Sequence, residues 1–247
     1  MYRAPPAAGA ARPIAFSDMD PERLVYPLMK YVVMGPAMRV AFLPRVSGVR
    51  HVPRTGPVII AANHLAFLDS FAVPLILPRR VHFLGKHEYF TGAGMKGRAT
   101  ATFFRGVGAI AVDRSGGRAA LDALDAAAAV LARGGVFAIH PEGTRSPDGR
   151  LYRGRTGVAR LAMRTGAPVV PVGITGTDRV QPRGRAVPRP GRIGLRVGPP
   201  MDFRGRDEGV PRGKAARQVT DEIMEAIQAL SGQEYVDDYA PRPTEPA

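Results

Sequence analysis

From Ser47 onward the chain alternates short runs of aliphatic and β-branched residues with longer stretches that carry apolar residues at helical spacing. This alternation restricts it to an α/β architecture. The runs Val58–Ala62, Val81–Leu84, Ala109–Val112, Val136–Ile139, Val169–Val172 and Ile193–Val197 read as strands. Helices are expected over about Ser70–Leu77, Gly94–Phe104, Arg155–Arg164 and Lys214–Leu230. A further one follows Ser115 through RAALDALDAAAAVLAR and stops at Gly134-Gly135. The expected fold is a single domain with a mixed, mostly parallel sheet flanked by helices. A chain of 247 residues can bury roughly three quarters of its unfolded surface, so it needs no disulfide or structural metal. It has no cysteine, which excludes disulfides, Cys-ligated zinc, iron–sulfur clusters and thiolate nucleophiles.

Residues 1–17 hold no apolar run of signal-peptide length and read as a disordered leader. The next segment, residues 18–45, opens on the helix-start signal Asp20-Pro21. From Arg23 to Pro44 it is mostly apolar but is interrupted by Lys30, Arg39 and Gly35-Pro36. A spanning helix wants about 20 uninterrupted apolar residues. The break at Gly35-Pro36 predicts instead two short helices with one cation each. Such a pair suits a bilayer interface, and the same apolar stripe would equally serve two amphipathic helices packed on the domain. The expectation carried forward is an N-terminal two-helix membrane-associating segment, a domain over 46–230 and a disordered tail over 231–247.

The formal charge is +14, and 31 of the 35 basic residues are Arg. Between Thr177 and Arg217 eleven Arg or Lys face four Asp or Glu, so this stretch carries half of the excess. An anionic partner follows from such a balance: nucleic acid, phosphorylated metabolites or acidic lipid. Nucleic-acid binding would pair those cations with exposed aromatics or a groove-entering helix. The stretch from Arg179 to Arg217 has one aromatic, Phe203, and six Pro, so nucleic acid is not expected as a partner.

Reactive groups in α/β sheets emerge past the carboxyl ends of strands. After Val58–Ala62 comes Asn63-His64-Leu-Ala-Phe-Leu-Asp69. On one regular helix a five-residue step turns about 140°, so His64 and Asp69 can meet only across a turn. There a carboxylate bonded to one ring nitrogen would fix the tautomer and leave the other nitrogen free to take a proton from a substrate hydroxyl. A satisfied structural contact is the alternative reading of the same pair. After Ala109–Val112, Asp113-Arg114 with Ser115, Gly116 and Gly117 reads either as an anion pocket at a helix start or as a surface ion pair. After Val136–Ile139, His140-Pro141-Glu142-Gly143-Thr144-Arg145-Ser146 combines a tight turn with donors suited to phosphate oxygens.

In this order and spacing the blocks resemble the glycerolipid acyltransferases of the lysophosphatidic acid acyltransferase type. Asn63, His64 and Asp69 match the first block. Gly108, Ile110 and Arg114 match the second, Pro141–Ser146 the third, and Val170-Pro171-Val172 the fourth. Gly85-Lys86-His87-Glu88 is similar to the Lys-rich loop between the first two. His140 stands where an aromatic residue is common in that family, and His87 where a second Lys is common.

The resemblance implies fatty acyl transfer from acyl-CoA or acyl carrier protein to the free hydroxyl of a lysophospholipid, 1-acyl-sn-glycerol 3-phosphate, giving phosphatidic acid. It implies His64 as general base and Asp69 as its orienting carboxylate. Arg114, Glu142, Gly143, Thr144 and Arg145, joined by Lys86, would form the acceptor's phosphate site. It implies no metal and no bound cofactor, and an address on the cytoplasmic face of the cell membrane. Another lysolipid or glycolipid hydroxyl is the alternative acceptor, and a noncatalytic basic lipid- or nucleic-acid-binding protein the alternative of another class. No H-E-x-x-H, P-loop or Gly-x-Ser-x-Gly is present to support a zinc hydrolase, an NTPase or a serine esterase.

Overall fold

The computed structural model describes residues 25–112 and 119–241, apart from the side chain of Lys86. The leader, the Asp20-Pro21 start, Arg114 and its anion pocket lie outside the described residues. A π-helical turn, Leu28–Val33, runs into helix α1 (Met34–Phe42). Then follow β1 (Arg45–Ser47), β2 (Val58–Ala62), α2 (Asp69–Ile76), β3 (Val81–Lys86), α3 (Gly94–Gly106), β4 (Ala109–Val112), α4 (Ala119–Ala132) and β5 (Val136–Ile139). The chain continues through β6 (Leu151–Tyr152), α5 (Gly157–Thr165), β7 (Val169–Thr175), a short α6 (Thr177–Val180), β8 (Gly194–Val197), α7 (Arg212–Ser231) and β9 (Tyr235–Val236).

Seven strands form one sheet in the order β1-β8-β7-β2-β5-β3-β4. All neighbours are parallel except β7 and β8. The all-apolar sequence of β2 is the signature of a central strand covered on both faces, and all five of its residues are buried. Its side chains alternate between two cores. Val58, Ile60 and Ala62 pack with α1, α2 and α3 on one face, while Ile59 and Ala61 pack with α4, α5 and α7 on the other.

Pro171 sits inside β7, where a missing N–H would normally break a ladder. Val169 donates to the carbonyl of Met201, and Gly198 donates to that of Pro171. Strand alternation aims the Pro171 nitrogen at the same flank as Val169. There β8 has already ended at Val197 and the chain turns away through Pro199 and Pro200.

Two expectations are corrected. The helical segment does not break at Gly35-Pro36. The Met34 amide bonds the Met29 carbonyl in π register, and the Lys30 carbonyl oxygen comes so near that a Cβ at position 35 would lie 1.8 Å from it. Glycine admits the wide turn, and the helix runs on through Pro36. Lys30 therefore turns inward, 3% exposed, and donates to the carbonyls of Pro74 and Leu77. Pro78 has no N–H with which to serve the Pro74 carbonyl, so the Tyr26 hydroxyl and Lys30 supply the donors. Burial first, and the charge of Arg39 second, push the Lys30 amine down to about 8.

The second correction concerns the tail. Residues 231–241 are not disordered: α7 extends to Ser231, and β9 pairs in parallel with β6. Two residues per strand leave no periodicity to read, and the pairing needs a partner more than eighty positions away.

Candidate active site

β2 and β5 are parallel neighbours in register, Ala61 opposite Ile139, so the loops leaving their carboxyl ends emerge side by side. This brings the Asn63–Leu68 turn against the His140–Arg150 loop. The Ser146 amide donates to the His64 carbonyl at 2.7 Å and ties the two together.

Asp69 opens α2 and is fully buried. Its Oδ2 accepts from the amides of Leu65 at 2.7 Å and Ala66 at 2.8 Å, and lies 3.1 Å from His64 Nδ1. The turn winds around the carboxylate, and that is how residues five apart come to face each other. The buried Thr177 hydroxyl lies near the same group without a well-formed hydrogen bond. Burial alone would push the Asp69 carboxyl up. His64, by hydrogen bond and by charge, together with Thr177 and the Ala66 amide, outweighs burial and holds it below the usual carboxylate range. The ionised carboxylate makes Nδ1 the donor. The His64 side chain is 16% exposed, and its Nε2 has no partner among the described residues. That nitrogen is left to accept a proton from outside.

Asn63 anchors the turn to the other neighbour of β2. Its Oδ1 accepts from the Ile174 amide, and its Nδ2 donates to the Ile174 carbonyl and to Gln233 Oε1. Gln233 in turn donates to the Gly149 carbonyl at 2.7 Å, so one amide in the tail bridges both loops. Gln181 accepts from the Leu68 amide at 2.8 Å and closes the far end of the turn. Sequence reasoning missed Thr177, Gln181 and Gln233. The available signal was faint: isolated polar residues that belong to no motif.

The third block divides by direction. Gly143 has φ +77°, a left-handed conformation that glycine adopts without strain, and its amide donates to the His140 carbonyl. Thr144 is half-buried. Arg145 is exposed with no hydrogen bond or ion pair among the described residues. Glu142 points inward, 1% exposed, and neither oxygen has a well-formed hydrogen bond among the described residues. Burial pushes its carboxyl up to about 8. The backbone groups of His64 and Tyr152 pull the other way without outweighing it, and the Asp69 charge adds to the rise.

A stability prediction follows from Glu142. Between the usual carboxyl range and about pH 8 the folded state holds a proton that the unfolded chain has released, so stability falls as pH rises through that window. Glu142→Gln should remove this slope and gain on the order of a few kcal/mol at pH 9 relative to wild type, with little gain at pH 5. Thermal melts at the two pH values check it.

The remaining residues of the expected site are placed by backbone only or not at all. Lys86 ends β3, paired with Val112 at the end of β4, at the same carboxyl edge as His64. Arg114 lies outside the described residues. No group of three His, Asp or Glu side chains that could hold a metal occurs among the described residues.

Comparisons with known proteins place this geometry in context. Over 140 residues the chain is 31% identical to the chloroplastic 1-acyl-sn-glycerol-3-phosphate acyltransferase of Brassica napus, covering 56% of this chain and 39% of that protein. Over 162 residues it is 30% identical to 1-acyl-sn-glycerol-3-phosphate acyltransferase alpha of Mus musculus, covering 65% of this chain and 55% of that one. The matched stretch is thus less than two thirds of either relative's length. The crystal structure of PlsC, the 1-acyl-sn-glycerophosphate acyltransferase of Thermotoga maritima, is similar in fold. The TM-score is 0.60 at 24% identity, over 85% of this chain and 79% of that one. A family model described as Acyltransferase matches residues 44–175, more than half of the chain and inclusive of both loops at the carboxyl edge. The chain belongs to that acyltransferase family.

Proposed function

We propose that this protein transfers a fatty acyl group from the thioester of coenzyme A or acyl carrier protein to the free hydroxyl of 1-acyl-sn-glycerol 3-phosphate, giving phosphatidic acid. The single observation that carries the reading is the His64–Asp69 pair: Nδ1 held by a buried, ionised carboxylate, Nε2 open. The acceptor hydroxyl gives its proton to Nε2 as its oxygen attacks the thioester carbonyl. The new C–O bond forms, the C–S bond breaks, and the proton passes to the leaving thiolate. The imidazolium present between these steps faces the Asp69 charge, which stabilises it. Arg145, one residue from the Ser146 amide that grips the His64 carbonyl, has a guanidinium without a partner among the described residues, and it would hold the acceptor's phosphate. Arg114 and Lys86 complete that cation set, Gly143 and Thr144 line it, and Glu142 braces the loop from beneath.

Membrane association rests on a different face. Leu28, Tyr31, Val32, Val33, Val40 and Leu43 are all exposed along the helical segment, while Lys30 is buried behind them. A groove of about 600 Å³ lined by Arg39, Leu43, Pro44, Val46, Val49 and Ile76 continues this surface. No helix among the described residues is long and apolar enough to cross a membrane. Such a face lies in the plane of the interface, and we place it on the cytoplasmic side, where acyl thioesters are available. Val32→Asp with Val40→Asp, at positions 65% and 80% exposed, should leave the fold intact and weaken co-sedimentation with phospholipid vesicles by roughly tenfold or more.

A nucleic-acid site is disfavoured by the basic stretch itself. Phe203 is buried, and Arg204, Arg206 and Arg217 are paired with Asp202, Glu222 and Asp221. The deciding test of the function is transfer of labelled acyl groups from both thioester donors to a panel of lysophospholipids and glycolipids. Transfer to 1-acyl-sn-glycerol 3-phosphate above all other acceptors supports the reading. Transfer to none refutes it.

A further inference from the structure

His140 takes no part in the steps above, yet its ring lies flat against the ring of His64, with centroids 4.0 Å apart and planes 9° from parallel. Its Nδ1 is 3.0 Å from the carbonyl oxygens of both Ala62 and Asn63. Two acceptors at one nitrogen require a donor there, so Nδ1 carries the hydrogen. Nε2 keeps its lone pair, with no partner among the described residues. Burial first, and the charge of His64 second, push His140 down to about 3. The His140 ring is therefore neutral, with its one hydrogen on Nδ1.

The His64 ring has few other restraints. One bond of 3.1 Å to Asp69 fixes Nδ1 but allows the ring to swing about that contact, and the side chain is partly open to solvent. Strand register puts a second flat ring beside it, pinned to the last carbonyl of β2 and to the one that follows. These carbonyls belong to the same strand end that carries His64. We propose that His140 is a positioning residue for His64: its anchored ring is the platform that sets the rotation of the His64 imidazole and so aims Nε2 at the acceptor hydroxyl. A neutral ring face beside an imidazolium also favours the charge that develops on His64 during transfer. This inference rests on the acyltransferase reading and deepens it.

The test combines kinetics with nitrogen and proton NMR on the full chain, which has only five His. His140→Leu removes the flat face and the anchor. It should lower kcat by about 10- to 100-fold while the acceptor KM stays near wild type, because a misaimed base costs rate and not binding. The same variant should move the His64 Hε1 resonance out of its upfield, ring-stacked position. His140→Phe restores a flat face and should recover most of the lost kcat and the upfield resonance. In the wild type, His140 should be seen as the Nδ1–H tautomer, a measurement that needs no variant to fold.

An active protein whose His140→Leu form keeps kcat within about twofold overturns the proposal. So does a His64 resonance that fails to move, or a wild-type His140 with its hydrogen on Nε2. A chain that transfers no acyl group to any acceptor overturns the acyltransferase reading and this inference with it, whereas the other three outcomes overturn this inference alone.

Discussion

His64→Ala is expected to yield a folded protein whose kcat has dropped by about 10³-fold or more, with the acceptor KM little changed. General-base assistance alone is worth about 10²–10⁴-fold. The two titratable side chains packed nearest to it cannot replace it: burial pushes His140 down to about 3, which leaves its Nε2 a weak base, and Glu142 is buried beneath the loop. The fold should survive because the loss is local. Asp69 keeps the amides of Leu65 and Ala66, and the Ser146 bond goes to the backbone carbonyl of residue 64. A side chain 16% exposed gives up one hydrogen bond and one ring contact, about 1–2 kcal/mol. Single-turnover acyl transfer with a thermal melt on the same preparation checks both halves. A variant that turns over near the wild-type rate would falsify the base assignment.

Asp69 should separate charge from orientation. A single oxygen, Oδ2, serves His64 and both backbone amides. In Asp69→Asn the amide oxygen can occupy that place and keep all three contacts, with its NH₂ turned toward the Thr177 hydroxyl. What disappears is the negative charge opposite the imidazolium, and kcat should fall by roughly 10²-fold with a near-normal melt. Asp69→Ala removes the acceptor altogether. His64 loses its fixed tautomer, and two buried amides are orphaned at about 1–3 kcal/mol each. The rate should then fall to the level of His64→Ala, and the melting temperature should drop by roughly 5 °C or more. Equal rates for Asn and Ala would mean that the charge, and not the three-way contact, is all that Asp69 supplies.

The loop that holds this pair shows how far a linear reading reaches. β2, β4 and β5 lie where the aliphatic runs place them, residue for residue: β2, buried along its whole length, has no room for polar interruptions, and the runs of β4 and β5 are apolar throughout although parts of them are only half-buried or exposed. The His64–Asp69 contact was legible for a similar reason, since both partners belong to one turn and its geometry is set by neighbours in the chain. β1, β6 and β9 were not legible. Two or three residues carry no period, and the three residues of β1 are all exposed. Lys30 was read as a cation interrupting the apolar N-terminal segment and instead caps helix α2. What directs it inward is a carbonyl deprived of its partner by Pro78, forty-eight positions later.

Strand chemistry, turn chemistry and the four blocks are thus properties of residues close in sequence, and backbone sterics with side-chain periodicity suffice to reveal them. The neighbours of β2 are another matter. That β5 lies on one side and β7 on the other, that Asn63 reaches Ile174 and Gln233 across 111 and 170 positions, and that His140 stacks on His64 all depend on strand order. Strand order is settled by how well every helix and strand buries its apolar face at once, so no local stretch of the chain encodes it.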